Sequence, residues 1–307
     1  MVFDIKTAAI GLSMLTASVA NAQSSLSNHT LEHEHRVRTF IRYVPAAVLK
    51  STKPVELLVL LHGGGGAGRS MMRYTRFNRL AREFGFIVLY PSGLTGHWND
   101  GRPHYQGVDD VGFILKSIDQ TIADTGLVDN SRVFLAGMSN GGHMSQRLAC
   151  EHADRFAGLA VVTAQFTPQL ITKCRPSRPL AAIYLNGTED PLVPYNGGPI
   201  APQWGGRGHA TATAETMRFW RRLNGCSLSP TRKPLSDQDA DDGLHIEQLD
   251  WRDCAPNAPL RLFSIVGGGH TWPGKIQYLP ESVIGRTSKD VDGSRLIWNF
   301  FNQSVKR

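Results

Sequence analysis

Beyond its N-terminus the chain has no run of about eighteen apolar residues, which excludes a protein that crosses a bilayer repeatedly as helices. Charged residues are few, at 19%, and no stretch combines low hydrophobicity with high charge, so long disordered segments are excluded too. Cysteine is scarce: there are four, with no CxxC pair and no zinc-like spacing, which argues against a zinc module or a dithiol redox centre. The 31 glycines and 17 prolines follow no period, so a collagen-like rod is out. Internal repeats, low-complexity tracts and Ser/Thr/Pro-rich linkers are also missing, which leaves no sign of a solenoid or a tethered second module.

What remains is a globular composition, with 41% apolar residues to build a core. Length alone, 307 residues, would suggest about two domains. With no linker in view, a single catalytic domain over residues 23–307 is the simpler reading. Residues 7–20 are mildly apolar but too short to span a bilayer, and Ala20-Asn21-Ala22 places small residues where a signal peptidase reads. Residues 1–22 are therefore expected to be a signal peptide and the mature chain to be secreted, into a periplasm or outside the cell.

The four cysteines suit an oxidising compartment. Three pairings are open, and the sequence-local one is preferred: Cys150 with Cys174, and Cys226 with Cys254. Closing loops of about 25–30 residues would contribute roughly 3 kcal/mol each in a chain-entropy account. The net charge is +7, from 33 basic and 26 acidic residues. No helix-turn-helix, zinc-finger, RNP or cold-shock pattern accompanies it, so no nucleic acid partner is expected. Basic charge equally suits an exported protein that meets anionic polymers.

Strand and helix signals alternate along the chain. Residues 36–44 alternate polar and apolar, as an early antiparallel strand would. Short apolar runs at 56–62 and 86–90 read as buried strands, and further strands are expected at 132–138, 159–162, 180–185, 244–251 and 261–266. Helical spacing appears at 75–84, where Phe77, Leu80, Ala81 and Phe84 share a face, and again at 107–125, 140–152, 212–223 and 288–302. This order implies an α/β protein with a mostly parallel central sheet and helices on both faces. The Gly/Pro-rich stretch 191–208 reads as a long functional loop.

Gly137-Met138-Ser139-Asn140-Gly141 is a G-x-S-x-G pattern at an expected strand-to-helix junction. A sharp turn there exposes the serine hydroxyl above the sheet, at a helix N-terminus whose dipole favours a developing oxyanion. A nucleophilic serine needs a base, and the base an orienting acid, in the chain order Ser, Asp/Glu, His for this kind of sheet. Glu189 and Asp190 both follow a strand end. Asp190 is preferred, because its proline fixes the turn and its shorter side chain suits direct contact with an imidazole. Of the later histidines, His245 lies in a strand pattern and His209 in the glycine-rich loop. His270 follows a strand and Gly267-Gly268-Gly269, glycines expected to let its backbone approach the serine turn, so it is the expected base. His62-Gly63-Gly64-Gly65-Gly66 supplies an HGGG-type loop, in which the amide of Gly63 or Gly64 would join that of Asn140 as an oxyanion hole. His62 itself reads as a brace for that loop.

Taken together, LLVLLHGGGG, Gly96-His97-Trp98-Asn99, Asp109-Asp110-Val111-Gly112-Phe113, GMSNGG, NGTEDPLVPY, LNGC and GGGHTWPG run from about residue 36 to residue 303. In these the chain resembles secreted α/β-hydrolases, the group of polyhydroxybutyrate depolymerase-like esterases and feruloyl or acetylxylan esterases. The resemblance implies the α/β-hydrolase fold, a Ser139–His270–Asp190 triad, the two local disulfides, and a serine esterase acting through an acyl-enzyme. That chemistry needs neither cofactor nor metal. Depolymerases that attack crystalline polyester often add a linker and an adsorption domain, which this sequence does not show; soluble esters or oligomers are the better expectation. A polyamide or anionic-polymer hydrolase with the same triad, or an acyltransferase, are the alternatives.

For substrate contacts, Trp98, Trp204 and Trp272 fall in expected loops near the active edge, whereas Trp220, Trp251 and Trp298 sit in helix or strand patterns that suggest core. The series Arg69, Arg73, Arg76, Arg79 and Arg82 begins directly after the oxyanion loop, with the first three spaced for one helical face. Arg69 and Arg73 are thus candidates for drawing in anionic substrates. His29, His33 and His35, interspersed with Glu32 and Glu34, read as a mobile polar tail rather than a metal site.

Overall fold

A computed structural model describes residues 23–105 and 107–304; the expected signal peptide lies outside the described residues. The strands are Ser25–His33 (β1), Arg36–Val44 (β2), Val55–Leu61 (β3), Ile87–Pro91 (β4), Val128–Met138 (β5), Gly158–Val162 (β6), Ala181–Gly187 (β7), the two-residue pair Gly198–Pro199 (β8) and His209–Ala210 (β9), then Thr231–Pro234 (β10), His245–Trp251 (β11) and Leu260–Val266 (β12). The helices are Ala46–Leu49 (α1), Gly68–Thr75 (α2), Phe77–Phe84 (α3), Asp110–Thr125 (α4), Asn140–Glu151 (α5), Pro168–Lys173 (α6), Thr213–Leu223 (α7), Glu281–Ile284 (α8) and Gly293–Ser304 (α9).

Ten strands form one sheet in the order β1-β2-β4-β3-β5-β6-β7-β12-β11-β10. The run from β4 to β12 is parallel, and antiparallel strands close both ends. Parallel strands must bury both faces, which is why β3, β4, β6 and β7 are nearly continuous apolar runs. Alternation then sorts their side chains: Leu57, Val59 and Leu61 of β3 enter one core, and Leu58 and Leu60 the other. Asp109 caps α4 through Gly112 N at 2.8 Å, so that helix starts three residues later than its apolar spacing suggests. Asp292 Oδ1 likewise accepts from Ser294 N at 3.0 Å and starts α9 at Gly293, five residues late.

Two expectations are corrected. The N-terminal polar stretch is a strand, paired with β2 from Ser25↔Val44 to His33↔Arg36, and His33 is buried with Nε2 2.9 Å from Asp109. The arginine series does not share one helical face. Arg76 takes a left-handed φ of 58° and separates α2 from α3. Thr75 and Phe77, on either side of this break, are both fully buried.

Both local disulfides form, Cys150–Cys174 and Cys226–Cys254, tying α5 to the end of α6 and the end of α7 to the segment before β12. Among the described residues no helix is long and apolar enough to cross a membrane.

Candidate active site

β3, β5, β7 and β12 end on the same edge of the sheet, and each hands over to a residue singled out above: His62, Ser139, Asp190 and His270. Carboxyl edges of parallel sheets are where such folds place their chemistry. Ser139 sits at φ 54°, ψ −121°, a conformation costly to any L-residue, between the last residue of β5 and the first of α5. Backbone bonds hold it there: its N–H donates to Val162 O at 2.9 Å, and its carbonyl accepts from His143 N at 2.9 Å.

Space forces the two flanking glycines. A Cβ on Gly137 would lie 2.2 Å from Gly141 O, and one on Gly141 would lie 2.4 Å from the carbonyl oxygens of both Leu61 and His62. Because those neighbours are backbone, Gly141→Ala is expected to destabilise the fold by about 3 kcal/mol and to displace the serine turn. Urea unfolding measures the first effect; a stable, fully active variant would contradict this packing.

Asp190 and His270 are both buried and joined, His270 Nδ1 to Asp190 Oδ2, at 2.7 Å. The other carboxylate oxygen of Asp190 accepts from the N–H groups of Leu192 and Val193, each at 2.8 Å, so the turn after the acid holds the acid. The glycines before His270 do not approach the serine turn, as the sequence reading expects. They approach the strand end that leads to Asp190: a Cβ on Gly187 would lie 2.2 Å from Gly268 O and 2.5 Å from Gly269 O, while one on Gly269 would lie 2.2 Å from Ile284 O at the end of α8. His270 N also donates to Ile284 O at 2.6 Å, and Tyr278 Oη donates to His270 O at 3.0 Å.

The loop after β3 passes beside the serine. A Cβ on Gly63 would touch Ser139 Cβ at 3.5 Å, and one on Gly64 would lie 3.9 Å from Asn140 Cβ. Among the described residues the amides of Gly63 and Gly64 donate to no backbone acceptor. The amide of Asn140 stands at the first position of α5, where helices leave N–H groups free. Gly63, Gly64 and Asn140 line the same cavity as Ser139.

Trp98 and Trp272 are not walls of the site. Both are 0% exposed. Trp98 packs in the core and works as a clasp: its Nε1 donates to His62 O at 2.9 Å, while its backbone exchanges bonds of 2.8 and 3.1 Å with the Asn140 side chain. It thereby joins the two halves of the amide cluster. Trp272 packs edge-on against Phe77 in the opposite core. Only Trp204, 48% exposed, lines the cavity above Ser139. Arg69 and Arg73 are also misplaced by the sequence reading. They are exposed, and the cavity-facing side of α2 is Ser70, Met71 and Tyr74. Arg69 donates to Asn28 at 2.9 Å, and Arg73 borders a separate surface hollow.

The cavity measures about 510 Å³. Ser139, His270, Gly63, Gly64 and Asn140 line it together with apolar Met71, Leu192, Val193 and Ile200 and aromatic Tyr74, Tyr105 and Tyr278. The long 191–208 loop supplies one wall, as its length suggests. Burial pushes the Tyr74 phenol up to about 12 and raises that of Tyr278, so both stay neutral. Among the described residues no three His, Cys, Asp or Glu side chains converge as a metal site requires.

Sequence reading missed His143 and Asp100. Asp100 is wholly buried; burial works against its charge, but the Arg102 guanidinium outweighs this and holds its carboxyl below the usual range. It also accepts from Asn140 Nδ2 at 2.6 Å. His143 lies one helical turn after Ser139, and its buried ring faces the cavity without completing a side-chain hydrogen bond. The one available signal was its i+4 spacing from the serine. Burial, reinforced by the Arg102 cation, lowers His143 to about 3. Burial likewise lowers His62 to about 4, where it braces the loop by accepting from Gly93 N at 2.9 Å.

Both histidines titrate near 6.5 when unfolded, so below that pH the unfolded chain binds more protons than the folded one. Their contribution to stability is complete above about pH 6.5 and falls as pH drops toward 4 for His62 and 3 for His143. His143→Gln is expected to flatten the loss of unfolding free energy between pH 6.5 and 4 in urea titrations. Parallel wild-type and variant curves would refute it.

A strained serine, a carboxylate-held histidine and free amides on one cavity define a serine hydrolase of the α/β-hydrolase fold. Residues 39–166 match the family model described as Esterase PHB depolymerase. A protein named as an esterase, NocK of Nocardia uniformis subsp. tsuyamanensis, is 32% identical over 261 residues, 80% of this chain and 73% of its own length. Feruloyl esterase B of Piromyces equi is 29% identical over 224 residues, 71% of this chain, which spans 40% of that longer protein. The solved acetyl xylan esterase from Aspergillus awamori shares the fold at a TM-score of 0.56 and 17% identity, over 80% of this chain and 94% of its own. The chain belongs to the PHB depolymerase esterase family and is a carboxylic-ester hydrolase.

Proposed function

We propose that the protein hydrolyses soluble esters or short oligoesters, of hydroxycinnamoyl, acetyl or hydroxybutyrate type, through an acyl-enzyme on Ser139. One observation carries this reading: the Ser139 turn, the His270 ring that Asp190 holds from behind, and the glycine loop after β3 all meet at a single cavity. The names of the relatives and the fold neighbour, feruloyl esterase and acetyl xylan esterase, support the substrate class.

Ser139 Oγ attacks the ester carbonyl while His270 Nε2 takes its proton, and Asp190 steadies the resulting imidazolium. The amides of Asn140 and of Gly64 or Gly63 hold the tetrahedral oxyanion. The imidazolium then protonates the departing alkoxide, and water repeats the sequence to free the acid. The paired cysteines support export as the setting of this activity.

Initial rates on methyl ferulate, 4-nitrophenyl acetate and a hydroxybutyrate trimer test the substrate class. Mass spectrometry after fluorophosphonate treatment tests the nucleophile. Label on any residue but Ser139 would overturn the mechanism. Cleavage of a matched amide at the ester's rate would move the reaction to polyamides, and acyl transfer to an added alcohol in preference to water would move it to acyltransfer.

A further inference from the structure

Resting on the esterase reading above, we propose that the cavity contains a carboxylate subsite built on Arg207, so that the preferred esters carry a free carboxylate on their acyl or alcohol part. Among the described residues the buried arginines are paired with acids: Arg38 with Asp110, Arg102 with Asp100, Arg132 with Glu56. Arg207, half-buried in the cavity wall, is different. Among the described residues it makes no ion pair, and its guanidinium is held by the Tyr105 hydroxyl and by His97 Nε2, the latter at 3.3 Å. His97 places Nδ1 3.1 Å from Thr95 O, an N–H donor position that leaves Nε2 as the acceptor for the guanidinium.

The backbone is fixed as well. Arg207 N donates to Ile200 O at 2.8 Å, and its carbonyl accepts from Arg102 Nη1 at 2.9 Å. Arg102 cannot lend its counter-ion, because Asp100 is already occupied by Arg102 Nε and Nη2 and by Asn140 Nδ2. No Asp or Glu lines the cavity among the described residues, and the buried His143 is neutral. A positioned guanidinium with unused N–H groups, no counter-charge and a half-buried setting is suited to a carboxylate. Trp204, on the same loop, offers an apolar flank. The anion attraction that the sequence suggested for Arg69 and Arg73 thus moves to another arginine, inside the site.

Matched isosteres test this by kcat/KM. For a carboxylate on the alcohol part, the free-acid hydroxybutyrate dimer is compared with its terminal carboxamide. For one on the acyl part, monoethyl glutarate is compared with ethyl glutaramate. The acid is expected to be preferred by about ten- to a hundredfold in one arm, the size of a hydrogen-bonded charge contact, with the preference shrinking as NaCl rises. Arg207→Gln should collapse the acid-to-amide ratio toward one and Arg207→Lys should keep part of it; a ratio within one variant is insensitive to how much of it folds. Ratios near one in both arms, or a ratio unchanged by Arg207→Gln, would overturn the subsite. Failure to hydrolyse any of these esters would instead overturn the esterase reading itself.

Discussion

Ser139→Ala is expected to lower kcat/KM on every substrate by about 10⁴–10⁶-fold while leaving the fold standing. The contacts that hold the turn are backbone contacts, to Val162 O and from His143 N, and alanine keeps both. Its Cβ occupies the place of the serine Cβ, so the strain at φ 54° is unchanged. What disappears is only the attacking oxygen. Residual rate above solvent should survive from the amide cluster and substrate binding. Thermal melting alongside initial rates checks both halves: a variant that hydrolyses esters at the parental rate, or one that does not fold, would show that the residue does something else.

Asp190→Asn is expected to cost about 10³–10⁴-fold in kcat, more than loss of one charge would suggest. Asp190 Oδ1 accepts from two N–H groups, those of Leu192 and Val193. An asparagine must therefore turn its carbonyl oxygen toward them and its NH₂ toward His270. The imidazole then has to accept at Nδ1 and carry its proton at Nε2, the nitrogen that must be bare to receive the serine proton. The variant should fold, since the turn bonds survive. Its kcat should recover partly at high pH if hydroxide replaces the base, and a pH–rate profile superimposable on the parent's would contradict the assignment.

Much of the candidate site's placement was legible in the sequence because it depends on local pattern. A serine between two glycines after an apolar strand, an Asp-Pro turn and a histidine behind three glycines each carry a local backbone signature, and the fold brings them to one edge. What stayed hidden depends on tertiary context. β1 is polar at most positions, and the Glu34-His35 turn that pairs it with β2 adopts φ of 47° and 58° without a glycine to announce it. Trp98 and Trp272 look like pocket walls because loops are ordinarily exposed, yet each is fully buried. The break at Arg76 rests on a left-handed φ of 58° at a residue other than glycine, which no spacing rule on a single helix reveals. Asp100 needs a partner 40 residues away in the chain to have meaning.

Ser139, Asp190 and His270 follow strand ends, whereas much of the cavity wall, including Ile200, Ala201, Trp204 and Arg207, comes from one long loop. Under the mechanism proposed above, chemistry and selectivity fall on separable pieces of chain. A library randomised over residues 200–207 could exchange substrates without disturbing the machinery that cleaves them. The boundary lies at Leu192 and Val193: their amides grip Asp190, so loop grafts that begin before residue 194 would exchange specificity and turnover together.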